Sequence, residues 1–143
     1  MGAVTAYLDV NVMVPLFAVD TLTDRAKKAL RSLHDDLIVS DFSIAEFSSV
    51  IARRVRTRDL RPDEARAAFS NFDTWCARHV TWVKLESIDI VGATALMRRL
   101  DLSVRTPDAL HIAIMQRIGC PLLTFDRTMA SVARALGIEL VKN

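Results

Sequence analysis

The stretch Tyr7-Leu8-Asp9-Val10-Asn11-Val12-Met13-Val14 decides how the rest of the chain is read. It has the form of a strand that runs into the interior and stops on a carboxylate. No basic residue stands close to Asp9 in sequence; the next is Arg25. Burying an unpaired carboxylate costs several kcal/mol or more, so such a group shifts its pKa, finds a partner or binds a metal. The later residues that could join Asp9 are therefore the ones to find.

Outward from this stretch, short apolar segments alternate with helical ones. Residues 4–8 form a first strand, followed by a helical turn around Pro15 and a helix over about 24–33, with Thr21 or Thr23 as its cap. Residues 37–39 form a second strand, and Ser40 and Asp41 then cap a helix over 42–57 with Phe42, Ala45, Phe47, Val50 and Ile51 inward. Pro62 with Asp63 and Glu64 opens a helix that runs to His79. A third strand follows over 80–85. Ser87 then caps a helix to Leu100, with Ile88, Val91, Ala95 and Leu96 on one side. Thr106-Pro107-Asp108 starts another helix, stopped by Gly119. Residues 121–125 form a strand ending at Asp126, 127–136 a helix stopped by Gly137, and 138–141 a last strand. Alternation of this kind means βαβ units, a parallel sheet and helices on both faces. No linker, repeat or low-complexity segment divides the chain, so residues 1–143 are expected to form a single domain.

Composition sets the broad class. A chain of 143 residues with 51% hydrophobic and 25% charged residues is globular and long enough for a real core. The net charge of +2 suits a nucleic-acid partner but fits many others. Cys76, Cys120, His34, His79 and His111 show no zinc-ligand spacing, and two scattered cysteines suit a reduced compartment. No apolar run approaches the ~18 residues of a membrane span. The N-terminus lacks the basic start of a signal peptide, and Asp9 interrupts any apolar run there. A cytoplasmic protein is the expectation.

Four acids stand apart from the others. Asp9 and Asp126 each follow directly on an apolar strand. In an open α/β sheet the carboxyl ends of the strands line the ligand crevice. Glu46 lies on a helix between Phe42 and Val50, at the edge of the apolar stripe. Asp108 sits in the first turn of a helix whose next residues are apolar. Each has an ordinary structural explanation. Asp108 suits a helix N-terminus, Asp126 a helix cap, and Glu46 an ion pair with an arginine such as Arg53. Asp9 has the weakest, because no helix of ordinary length clearly starts there. These explanations are unrelated, whereas one shared site accounts for all four. Clustered carboxylates repel unless a cation lies between them. Oxygen ligands without His or Cys select Mg²⁺ or Mn²⁺, which stabilise charge on a phosphoryl group. Asn11 and Thr124, each two residues from one of these acids, could orient the ligands. His111 reads as a packed helix residue rather than a ligand.

Four ordered motifs carry a resemblance to a known family. They are Tyr7-Leu8-Asp9-Val10-Asn11, Ser40-Asp41-Phe42-Ser43-Ile44-Ala45-Glu46-Phe47, Thr106-Pro107-Asp108-Ala109-Leu110-His111-Ile112-Ala113 and Leu123-Thr124-Phe125-Asp126. Their order, their spacing and the total length fit, and over nearly its whole length the chain resembles PIN-domain ribonucleases, most closely the VapC-type toxins of bacterial toxin–antitoxin pairs. The resemblance implies a three-layer α/β/α sandwich around a parallel sheet of about five short strands. It implies a Mg²⁺- or Mn²⁺-dependent endoribonuclease with Asp9, Glu46, Asp108 and Asp126 as its acidic quartet, accompanied by Asn11 and Thr124. It further implies a homodimer inhibited by a VapB-type antitoxin that inserts a segment into the acidic groove. Some relatives carry a further acid after the fourth; here Arg127, Thr128 and Met129 follow, implying that a second metal binds weakly or only with substrate.

On this reading water attacks an RNA phosphodiester and leaves a 5′-phosphate. Asp9, Asp108 and Asp126 hold the metal, and Glu46 positions or deprotonates the water. Arg53, Arg54, Arg56 and Arg58 form a basic run at a helix end. It reads either as a solvated helix C-terminus or as a track for RNA phosphates or an acidic antitoxin. Two other functions are compatible with the residues. One is an aspartyl-phosphate domain, although its phosphatase version wants a second acid where Asn11 stands. The other is a non-catalytic RNA-binding module on the same fold.

Overall fold

A computed structural model describes residues 5–33 and 36–143. Val4, the expected start of the first strand, and His34 lie outside the described residues. The elements are β1 (Ala6–Leu8), α1 (Val10–Phe17), α2 (Thr23–Ser32), β2 (Leu37–Ser40), α3 (Asp41–Arg56), α4 (Pro62–His79), β3 (Val80–Val83), α5 (Ser87–Arg98), α6 (Thr106–Ile118), β4 (Leu122–Leu123) and α7 (Arg127–Ala135).

The sheet is parallel throughout, in the order β3-β2-β1-β4. Where a fifth strand is expected over 138–141, a single parallel bridge joins Leu140 to Leu122. Adjacent residues on each strand face opposite sides, as the two-residue period requires. Leu8, Val39 and Leu123 enter one core with Phe47, Ile51, Phe72 and Met13. Tyr7, Ile38 and Leu122 enter a second core with Ile112, Ile114 and Met129. The sheet is thus the middle layer of a three-layer α/β/α sandwich. Strand order runs outward from β1 to β3 and then reverses to β4, so the switch point lies between β1 and β4. That is where open α/β sheets bind ligands.

Helix limits follow the start and stop signals closely, with instructive shifts. Ser40 caps α3, its hydroxyl accepting from the Ser43 amide at 3.0 Å. Gly119, at φ 68°, ends α6 in the left-handed conformation. Glu86 rather than Ser87 stands at the N-cap of α5, its amide donating to Asp89 Oδ2 at 2.8 Å. Ala45 is exposed, because at 100° per residue it lies well around the helix from Phe47. The inner face of α5 also differs from expectation: Ile88 and Val91 are 59% and 62% exposed, whereas Asp89, Ala93 and Leu96 face inward. The cause is Arg117 on α6, which grips Asp89 with two bonds of 2.8 and 2.9 Å and fixes the rotation of α5. Gly92 then lies against Ala113, where an added Cβ would meet the Ala113 Cβ at 3.4 Å. Among the described residues, no helix is long and apolar enough to cross a membrane.

Candidate active site at the sheet switch point

Asp9 leaves β1 and precedes α1, a helix of two turns. Its backbone stands at the helix N-cap, but its side chain does not cap the helix. The carboxylate turns instead toward β4. Thr124 Oγ1 donates to Asp9 Oδ2 at 2.7 Å, and Asn11 Nδ2 donates to the same oxygen at 3.3 Å. Asn11 Oδ1 accepts from the Phe125 amide at 3.1 Å, and Thr124 Oγ1 accepts from the Asp126 amide at 3.0 Å. Asp9, Asn11, Thr124 and Asp126 therefore form one hydrogen-bonded unit across the ends of two neighbouring strands. Both of these side-chain bonds to Asp9 fall on the same oxygen, Oδ2. Burial raises the Asp9 pKa most, the Thr124 bond opposes it, and the charge of Glu46 adds to the rise.

Asp108, in the first turn of α6, joins the same field. Its pKa is raised by burial first, then by the charges of Asp9 and Asp126. A buried carboxylate raised further by neighbouring carboxylates is the setting in which a cation is favoured. Asp126 is exposed and does what its ordinary explanation requires: its Oδ1 accepts from the Thr128 amide at 2.8 Å and caps α7. Glu46, in the second turn of α3, pairs with His111 Nε2 rather than with Arg53. Among the described residues, no three acidic, His or Cys side chains already stand at metal-ligand separation. Glu46 and Asp126 are each engaged elsewhere, and unneutralised carboxylates repel. The donor set itself, Asp9, Asp108 and Asp126, is all oxygen and fits a hard divalent cation.

A profile of the PIN-domain family matches residues 6–135. The chain is a PIN-domain protein. No curated protein matches its sequence significantly. Several solved structures share its fold. VapC20 of Mycobacterium tuberculosis, described as a toxin that cleaves the sarcin–ricin loop, is 19% identical with a TM-score of 0.75, over 96% of this chain and 99% of its own. VapBC2 of Rickettsia felis, solved on a promoter DNA fragment, is 14% identical with a TM-score of 0.71, over 95% of this chain and 96% of that one. FitAcB of Neisseria gonorrhoeae is 13% identical with a TM-score of 0.68, over 96% of each chain.

Within this PIN domain, sequence reasoning missed a buried polar network. His111 is packed, as expected, being 2% exposed. Its Nδ1 meets the Tyr7 hydroxyl at 2.5 Å, and that hydroxyl also meets Ser40 at 2.8 Å and Ser43 at 3.3 Å. Burial drives the Tyr7 pKa upward, so the phenol stays protonated. The phenol is available as a donor to His111, whose other ring nitrogen, Nε2, meets Glu46. Three elements thus fix the direction of Glu46. The available signal was the three-residue spacing of Asp108 and His111, which puts both on one face of α6. Tyr7→Phe should cost about 1–2 kcal/mol in urea unfolding, because a buried His111 nitrogen loses its partner; an unchanged midpoint would show that the hydroxyl is not held.

The basic run lies at the far end of α3, beginning two turns beyond Glu46. Arg54 pairs with Asp20 at 3.2 Å. Arg53, Arg56 and Arg58 are exposed, and Arg58 takes a left-handed conformation just past the helix.

Proposed function

We propose that this PIN domain, formed by residues 1–143 as one unit, is a Mg²⁺- or Mn²⁺-dependent endoribonuclease and the toxin of a toxin–antitoxin pair. The observation that carries the reading is the hydrogen-bonded Asp9–Asn11–Thr124 unit at the β1–β4 switch point, beside which burial and then the charges of Asp9 and Asp126 raise the Asp108 pKa. Asp9, Asp108 and Asp126 would hold the cation, which supplies charge stabilisation to the phosphoryl group. Thr124 and Asn11 keep the Asp9 carboxylate turned toward β4. Glu46, directed by His111, accepts the proton of the attacking water. The water oxygen bonds to phosphorus, the bond to the 3′-oxygen breaks, that oxygen takes a proton from solvent, and the products are a 5′-phosphate and a 3′-hydroxyl.

The RNA substrate is supported by the likeness to VapC20, and an antitoxin of the VapB type by the likeness to VapBC2 and to a toxin–antitoxin complex from Klebsiella pneumoniae. A homodimer would cover the apolar surface that Ile88, Ile90 and Val91 expose on α5. Cytoplasmic residence agrees with the two free cysteines. The direct test incubates the purified chain with labelled single-stranded RNA in EDTA and after adding Mg²⁺ or Mn²⁺. Cleavage should be absent in EDTA and restored by either cation; cleavage that persists in EDTA would overturn the metal assignment.

A further inference from the structure

Beside Asp126 the surface opens into a cleft of about 460 Å³ whose walls carry Arg25, Arg127, Arg134 and Lys142, with Phe125 among the lining residues. It shares Arg25 and Lys142 with a neighbouring cleft that adds Lys28. The only carboxylate side chains lining the two are Asp126 and Asp24. None of these five cations makes a salt bridge among the described residues, whereas Arg54, Arg61, Arg99 and Arg117 all do. Arg25 is nevertheless held in place. Its guanidinium lies 4.3 Å from the centre of the Phe125 ring, and it donates to the Asn143 side chain, which in turn donates to the Thr124 carbonyl at 3.3 Å. The partners that fix this cation among the described residues are neutral. The cleft is also tied to the acidic centre, since Thr124 and Asp126 belong to both.

We propose that this cleft binds backbone phosphates of the RNA strand flanking the bond to be cut, and that it, rather than the Arg53–Arg58 run, is the main electrostatic track. The inference rests on the nuclease reading for the identity of the ligand as RNA. An acidic centre repels a polyanion, so a strand must be held by cations at its margin. Arg127 and Arg134 are supplied by α7, which Asp126 caps, and Arg25 by α2 across the cleft. The basic run lacks this placement: it begins two turns along α3 from Glu46, and Arg54 is already neutralised by Asp20.

The test measures binding of a fluorescent single-stranded RNA by the full chain carrying Asp9→Asn, over a range of salt concentrations. One variant adds Arg25→Gln, Arg127→Gln and Arg134→Gln; a second adds Arg53→Gln, Arg56→Gln and Arg58→Gln. All six arginines are exposed, so both variants should fold as the parent does, checked by circular dichroism. Each single-strand phosphate contact contributes about 0.7 to the slope of log affinity against log salt. The cleft variant should bind about tenfold or more weakly and lose about 2 from that slope, while the run variant changes binding less than about twofold. An unchanged slope in the cleft variant overturns the proposal, as does a larger loss in the run variant. If the cleft variant keeps its RNA affinity but loses affinity for a polyglutamate peptide, the cleft is a protein site and the proposal also fails. Cleavage by the unsubstituted chain in Mg²⁺ or Mn²⁺ is scored separately. Slope loss without cleavage would sink the nuclease reading and leave the cleft standing, and the reverse pattern would sink the cleft alone.

Discussion

Asp9→Asn should abolish RNA cleavage, by about a thousandfold or more, while making the metal-free chain more stable. Both effects come from one carboxylate. An Asn side chain keeps an oxygen to accept from Thr124 and Asn11, so the local hydrogen bonds survive. It lacks the charge that would hold a divalent cation, and the several kcal/mol of charge stabilisation lost at the phosphoryl group correspond to about a thousandfold in rate. The stability effect has the opposite sign. The native chain raises the Asp9 pKa above its ordinary value, chiefly by burial. The folded state therefore binds that proton more tightly than the unfolded state. Metal-free stability then falls as pH rises from the ordinary carboxylate range through the raised value. Asn removes this loss, and the variant should melt about 2–4 °C higher at neutral pH, equivalent to about 1 kcal/mol. The gap should close in acid, where Asp9 is protonated, and adding Mg²⁺ or Mn²⁺ should stabilise the parent chain more than the variant. A variant that melts lower than the parent at neutral pH in EDTA would show that the Asp9 charge is not a strain on the fold.

The largest purely structural effect is expected at Arg117. Its guanidinium makes two bonds to Asp89, whose carboxylate is 2% exposed, and also donates to the Lys84 carbonyl at 2.9 Å. Arg117→Ala leaves a buried carboxylate with only the Glu86 amide, 2.8 Å away, as a donor. Removing one partner of such a pair costs about 3–5 kcal/mol in a fully buried setting. Arg117 is itself 27% exposed, so about 2–3 kcal/mol is expected. The Arg117 bond is also what holds the Asp89 pKa below the usual carboxylate range. A depressed acid lends stability that is present above its unfolded pKa and lost as pH falls through its folded pKa. The deficit of Arg117→Ala should therefore be full at neutral pH and shrink in acid. Urea unfolding at both pH values decides it. A neutral-pH loss below about 1 kcal/mol would mean that water replaces the guanidinium. Combining Arg117→Met with Asp89→Leu should recover most of the loss, because no charge is then left buried.

That same pair shows why part of the fold was hard to read from sequence. The apolar residues of α5, Ile88, Val91 and Leu96, suggest an inner face that the helix does not use in full. A long-range ion pair from α6 sets its rotation, and no local periodicity reports a partner 28 residues away. The helices with strong local signals, Pro62 opening α4 and Gly119 closing α6, stand where those signals put them. The last strand shrinks to one bridge at Leu140, because an edge segment with a single neighbour has little to hold it in register. Of the candidate site, Asp9 and Asp126 were legible because each follows a short apolar segment and the parallel sheet sets β1 beside β4, although β4 ends at Leu123 and Thr124 and Phe125 separate it from Asp126. The weak ordinary explanation for Asp9 rested on no helix starting there. A helix does start there, and what sets Asp9 apart is that its side chain turns away to Thr124. Tyr7 and His111 were not legible as partners, because they are 104 residues apart and look like ordinary core residues.

The chemistry of the cut ends tests the central claim most directly. Cellular RNA is sequenced at its new termini after induction of the parent chain and, in parallel, of Asp9→Asn. Water attack directed by Glu46 predicts fragments with 5′-phosphate and 3′-hydroxyl ends in the first sample and none in the second. Ends bearing 2′,3′-cyclic phosphate, or the same cuts with Asp9→Asn, would contradict it.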